Sequence, residues 1–234
     1  MKQPDLFRDS GVGCDGWVDI DYTLPIENLD EGGFISQLYK VRDDWLQRLK
    51  IVSESKCHDK KCMEKFLEFT RYLVDHQRFD ELEGMNIKGS WCLPMDAEMP
   101  SDARVDFMYM PTYIAVAWLT LIRQEYSQIA DSIDNFDKSL RCGLDFASGR
   151  KLSGHGYEAT EEMLVAIEYL SLGKAFDFIR EYPSYSRKFR YAIIAAKGQI
   201  IRQLRDNDGW GMIDEQKAHI ALSSLDRASH GLQR

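Results

Sequence analysis

Long apolar runs are missing from this 234-residue chain. The longest, MYMPTYIAVAWLTLI, is interrupted by Pro111 and stops at Arg123. A membrane-crossing helix needs about 20 predominantly apolar residues, so no membrane partner is expected. The first residues, MKQPDLFRDSG, lack the apolar core of a signal peptide. Both absences predict a soluble, cytoplasmic protein. Positive charge is also short. Lys and Arg number 30 against 38 Asp and Glu, giving a net charge of -8. Binding along a phosphate backbone needs clustered cations, so no nucleic-acid partner is expected unless one local basic patch overrides the average.

The familiar catalytic fingerprints are absent. There is no G-x-x-x-x-G-K-[ST] loop, dinucleotide-binding glycine motif, H-E-x-x-H or G-x-S-x-G. That excludes the ordinary nucleotide hydrolases, dehydrogenases, zincins and α/β-hydrolases, and no motif points to a cofactor. The five cysteines, Cys14, Cys57, Cys62, Cys92 and Cys142, are odd in number and scattered. They read as reduced thiols more than as a disulfide framework. Four residues separate Cys57 from Cys62, which suits a zinc loop, but no second close ligand pair accompanies them. No metal site is expected; a disulfide or two free thiols at a turn fits better.

What the chain does have is apolar and aromatic content, 44% and 12%, with only 6 Pro and 16 Gly. This is enough to bury a core and it favours long helices. Apolar residues at three–four spacing predict helices over 34–52, 63–82, 113–130, 132–147, 161–182, 186–206 and 214–228. The helix over 113–130 is apolar on most of its surface and should therefore be central. Pro111 falls near its first turn, where proline is tolerated. No alternating strand pattern stands out beyond a weak VDIDY near the start. The expected organisation is an irregular segment over 1–32, one helical domain over 33–228 and a tail over 229–234.

Between pairs of predicted helices a glycine–aromatic corner recurs: DGW ending at Trp17, KGSW at Trp91, SGHGY around His155 and DNDGWG around Trp210. Glycine takes the left-handed conformation that ends a helix, and the neighbouring aromatic covers the end of the hairpin core. The fold class is thus all-α, a stack of antiparallel helical hairpins. Helical hairpins with G-x-W corners resemble the α/α-toroid proteins, which include terpenoid cyclases, protein prenyltransferases and six-hairpin glycosidases. KGSW followed by an apolar helix is similar to a toroid corner leading into an inner helix, and Gln203 precedes Gly209 and Trp210 much as a glutamine precedes G-x-W in the cyclases. The D-x-D-D acid motif of the squalene-type cyclases is absent, and the zinc ligands of the prenyltransferases cannot be assigned. Seven helices are too few for a full ring. An open arc, a compact bundle and a ring completed by a second copy (a homo-oligomer) all remain open.

The resemblance implies a concave face with a pocket. The loop PMDAEMPSDARVDFMY gathers Asp102, Arg104 and Asp106, and carboxylates across a cleft can act as acid and base on a glycoside. His155 lies between two glycines beside Tyr157 and Glu158, where a ligand can approach the backbone and a histidine can move protons. The expected catalytic set is His155, Asp102, Asp106 and Glu158, with Trp91, Arg104, Tyr113 and Tyr157 binding a carbohydrate-like or other small ligand. Against this stands packing: corner aromatics usually fill a core and charged loops are usually solvated. The other functional class is a non-catalytic helical scaffold for a protein partner. An apolar patch exposed away from the corners would favour it.

Overall fold

The computed structural model describes residues 31–54, 60–79, 81–82, 85–91, 106–149, 167–206 and 215–233. Its architecture is all-α. The helices are α1 Glu31–Glu54, α2 Lys60–Asp75, α3 Asp106–Glu125, α4 Ser127–Asp131, α5 Phe136–Gly149, α6 (described over 167–172), α7 Ala175–Arg180, α8 Pro183–Asp206 and α9 Glu215–Gly231. Among the described residues one antiparallel ribbon interrupts them, β1 Glu81–Leu82 with β2 Met85–Asn86, pairing Glu81 with Asn86 and Leu82 with Met85. No described helix is long and apolar enough to cross a membrane.

Helix α3 is the centre. Every residue from Pro111 to Ile122 is buried, and α1, α2, α4, α5 and α7 pack around it. A helix apolar on all sides can satisfy itself only where other helices surround it, as its sequence predicts. Amphipathic α2 offers one face, with Phe66, Phe69, Thr70, Leu73 and Val74 buried. Its rings meet those of α3 edge to face: Phe69 lies 4.8 Å and Phe66 5.9 Å from Trp118. Trp45 of α1 joins the same cluster, 5.6 Å from Phe69.

The structure divides several stretches that periodicity reads as continuous. The helix expected over 161–182 breaks at Gly173 and Lys174. Gly173 lies so close to α3 that a Cβ there would stand 2.3 Å from the Ala117 carbonyl oxygen. Lys174 takes a left-handed φ of 52° and reaches back to Glu125 at 2.6 Å. The helix expected over 63–82 ends at Asp75, because the Arg78 amide leaves the helical pattern to donate to the Ser90 carbonyl at 2.9 Å. Phe79 therefore stands outside the helix, exposed, with the Lys138 ammonium over its ring. Helix α3 starts earlier than expected, so Pro111 sits inside it rather than in its first turn. Tyr126 closes that helix and separates α4, and Asn135 at φ 63° delays the start of α5 to Phe136. Helix α8 begins on Pro183 itself, a residue whose fixed φ suits a first helical position. At the other end α9 continues to Gly231 and Leu232 is buried.

The last two helices run antiparallel. Ser186 donates to the Leu232 carbonyl at 3.1 Å, and eleven residues further along α8 Lys197 pairs with Asp226. Rising numbers on one helix meet falling numbers on the other. Helix α8 also packs on α5, through Lys188 to Asp145 at 3.3 Å and Tyr185 to the Arg141 carbonyl at 3.5 Å. Of the two states left open for Cys62, a disulfide or a free thiol, the structure has the disulfide: Cys62, buried on α2, is bonded to a partner outside the described residues, while Cys142 is a free thiol.

Candidate functional site

Of the residues that the sequence nominates, two are seen in full, and both are core. Trp91 has no exposed surface. Its indole N–H donates to the Leu73 carbonyl at 2.7 Å, and its amide donates to the Thr112 hydroxyl at 3.0 Å. The ring rests on Gly143, where a Cβ would come within 2.8 Å of it. The corner that delivers it is held by Gly89, at φ 91°, pressed onto α5 beneath the Cys142 carbonyl. Gln77 ties that corner down, donating to the carbonyls of Gly89 at 3.0 Å and Ser139 at 2.9 Å. This corner follows the β1–β2 ribbon rather than a helix. Tyr113 is buried on α3 in the same core. As they lie, neither ring offers a face to a ligand. Asp106 is the first residue of α3. Asp102, Arg104, His155, Tyr157 and Glu158 lie outside the described residues, as do the corners at Trp17 and Trp210. No group of three or more His, Cys, Asp or Glu suited to a metal ion occurs among the described residues.

Two surface features come instead from α7, α8 and α9. The first is an open cleft in two adjoining parts of about 580 and 360 Å³, which share Arg180 and Gln233. Arg227 and His230 of α9 line one part; Pro183, Ser186, Arg187 and Arg190 of α8 line the other. Arg180 is anchored, donating to Asp177 at 2.9 Å and to the Gly231 carbonyl at 3.4 Å. Arg227 donates to the Ser224 hydroxyl at 2.9 Å. No carboxylate or thiol is among the described residues lining either part. Such a cleft can attract and orient an anion; among the described residues it has no carboxylate pair of the kind glycoside hydrolysis uses.

The second feature is a seam along α8. Arg187, Tyr191, Ile194, Gly198, Ile201 and Arg205 follow one another at alternating steps of four and three residues, the spacing of a coiled-coil contact line. Tyr191, Ile194 and Ile201 are 67%, 56% and 52% exposed. Phe189, Ile193, Ala196 and Ile200 on the opposite side are buried. A Cβ added at Gly198 would meet nothing within 4 Å. The sequence carries one signal for these features, the basic excess of α8. Helix α8 carries Arg187, Lys188, Arg190, Lys197, Arg202 and Arg205 against a single acid, Asp206, in a chain that is acidic as a whole. The 4–3 line is hidden because α8 has a second apolar line, and periodicity alone does not say which of the two faces inward.

No known protein family, curated protein or solved structure matches this chain.

Proposed function

We propose that this protein is a non-catalytic helical scaffold, and that the seam of α8 docks an amphipathic, acidic helix of a partner protein. The helices would serve as an array of stacked hairpins that presents α8 outward. One observation carries this reading: three large apolar side chains, Tyr191, Ile194 and Ile201, stand exposed at contact-line spacing around an open Gly198. Leaving such side chains about half in water forgoes roughly 1–2 kcal/mol each relative to full burial. A partner helix laid along the seam recovers that energy, and a glycine midway lets the two backbones come close. The partner's charge follows from the flanks. Arg187 and Arg205 end the seam, with Arg190 and Arg202 at its sides, so carboxylates on the incoming helix are favoured and cations repelled.

The test is site-specific photo-crosslinking in the native cell extract, with the probe at Tyr191 and, as control, at Arg71 on the exposed face of α2. The expected result is one species captured from Tyr191 only. Its crosslinked peptide should be an acidic amphipathic helix, and Ile194→Asp with Ile201→Asp should abolish the capture. Light-scattering mass measurement on the purified chain supplies the competing outcome. A dimer that dissociates in the same double variant makes a second copy of this chain the occupant.

A further inference from the structure

We infer that the cleft between α7, the first turns of α8 and the last turn of α9 binds a phosphate monoester. The cleft shares Arg187 and Arg190 with the flank of the α8 seam, but phosphate binding there does not require a partner helix. Its first ground is convergence. Arg180, Arg187 with Arg190, and Arg227 come from three helices to one cleft. Among the described residues no carboxylate pairs with Arg187, Arg190 or Arg227, whereas Arg48, Arg123, Lys188 and Lys197 each have an acidic partner. Clustering like charges without counter-ions opposes folding, and an anionic ligand removes that cost.

The second ground is an unmet donor. The Arg190 Nε is buried and has no hydrogen-bond acceptor. A buried polar hydrogen left unpaired costs about 1–3 kcal/mol, and turning the Arg190 guanidinium into the cleft it lines would bring that hydrogen to a ligand oxygen. Third, α8 is 24 residues long and its amino-terminal end opens onto the cleft through Pro183 and Ser186, adding the positive end of the helix dipole. The carbonyls at the end of α9 on the facing wall are already engaged, Gly231 by Arg180 and Leu232 by Ser186.

The count of charges selects the ligand. Three guanidinium groups without carboxylate partners exceed what one carboxylate neutralises. A phosphate monoester carries roughly 1.5–2 negative charges near neutral pH and three acceptor oxygens, which guanidinium forks contact in pairs. The phosphate would sit where the two parts meet at Arg180, and the rest of the larger part leaves room for the organic group it esterifies.

The experiment titrates the full chain at constant ionic strength with glycerol phosphate, O-phosphoserine, a phosphoserine peptide and glutarate, following heat and the arginine Nε–H resonances. Phosphate monoesters are expected to bind and to move the Arg190 Nε–H signal. Arg190→Lys and Arg227→Gln should each weaken binding by about tenfold or more, the loss of one charge-assisted contact, and Arg71→Gln should leave it unchanged. A peptide that binds more tightly than free O-phosphoserine supports the site with a protein-borne phosphate as its source; equal binding supports it with a small phosphoester. The inference is overturned if no phosphate compound binds the wild-type protein at millimolar concentration. It is equally overturned if glutarate binds as well, or if Arg71→Gln weakens binding as much as Arg190→Lys does. The wild-type arms decide the matter even where a variant fails to fold.

Discussion

The indole N–H of Trp118 donates to the Thr70 hydroxyl at 2.9 Å, and that hydroxyl donates in turn to the Phe66 carbonyl at 2.5 Å. All three groups are in the core, so neither donor can turn to water. This relay joins α2 to the central helix at the point where Phe66 and Phe69 meet the Trp118 ring. Thr70→Val keeps the shape and removes the acceptor, leaving the indole N–H unmet. The expected loss is about 1–3 kcal/mol, read as a lower urea midpoint with the slope unchanged. An unaltered midpoint would mean that the relay contributes nothing net.

Two glycines should respond in opposite directions to the same change. At Gly89, φ is 91° and a Cβ would lie 2.1 Å from the Cys142 carbonyl oxygen. That oxygen belongs to the backbone of α5 and cannot swing away, so Gly89→Ala should cost at least about 2 kcal/mol. Gly198 sits mid-helix with nothing within 4 Å of an added Cβ. Gly198→Ala should stabilise the isolated protein by roughly 0.5–1 kcal/mol. Thermal unfolding of the two variants side by side checks both signs. If a partner helix uses the gap at Gly198, the same substitution that stabilises the free chain weakens the complex.

Asp44 and Arg48 form a buried pair one helical turn apart on α1, 2.6 Å between Nε and Oδ2, with the guanidinium over the Phe69 ring. Removing one member takes a buried counter-charge away from the other, and Asp44→Asn should cost about 3–5 kcal/mol. Replacing both, as Asp44→Leu with Arg48→Met, should cost much less than the sum of the single changes. A double-mutant cycle in denaturant measures the difference. Additive single changes would show that the two side chains are not coupled.

Burial pushes the Tyr169 phenol above its ordinary value near 10; Arg42 opposes the shift, and Glu168 and Asp43 add to it. The protonated form is therefore favoured in the folded chain. Above about pH 10 the unfolded chain gives up this proton first. The contribution is complete below that pH and stability falls as pH rises through it. Tyr185 shifts the same way, mainly by burial. Unfolding midpoints measured from about pH 8 to about pH 11 should decline, and Tyr169→Phe should flatten the decline. An equal slope in the variant would assign the alkaline loss to other groups.

Helix content and the identity of the central helix follow from local rules. Phe66 and Leu73 lie on one side of a 3.6-residue period, and the run from Pro111 to Ile122 has no polar side to offer water, so it must be enclosed. A corner glycine in the left-handed region at Gly89, and an aromatic beside it that fills the core, follow from glycine's freedom and the preference of tryptophan for burial. Other features have no local cause. Apolar spacing runs unbroken through Gly173, and the chain turns there where it meets α3, with Gly173 against the Ala117 backbone and Lys174 against Glu125. Charge on Asp44 and Arg48 reads as a solvated face until α1 packs against Phe69. Arg180, Arg190 and Arg227 are far apart along the chain and meet because α9 lies antiparallel on α8. Sequence period fixes which residues share a face of one helix. Which of two apolar faces turns inward, and which distant cations then share a cleft, is decided by how the helices pack, because that energy belongs to contacts between segments and not to any one of them.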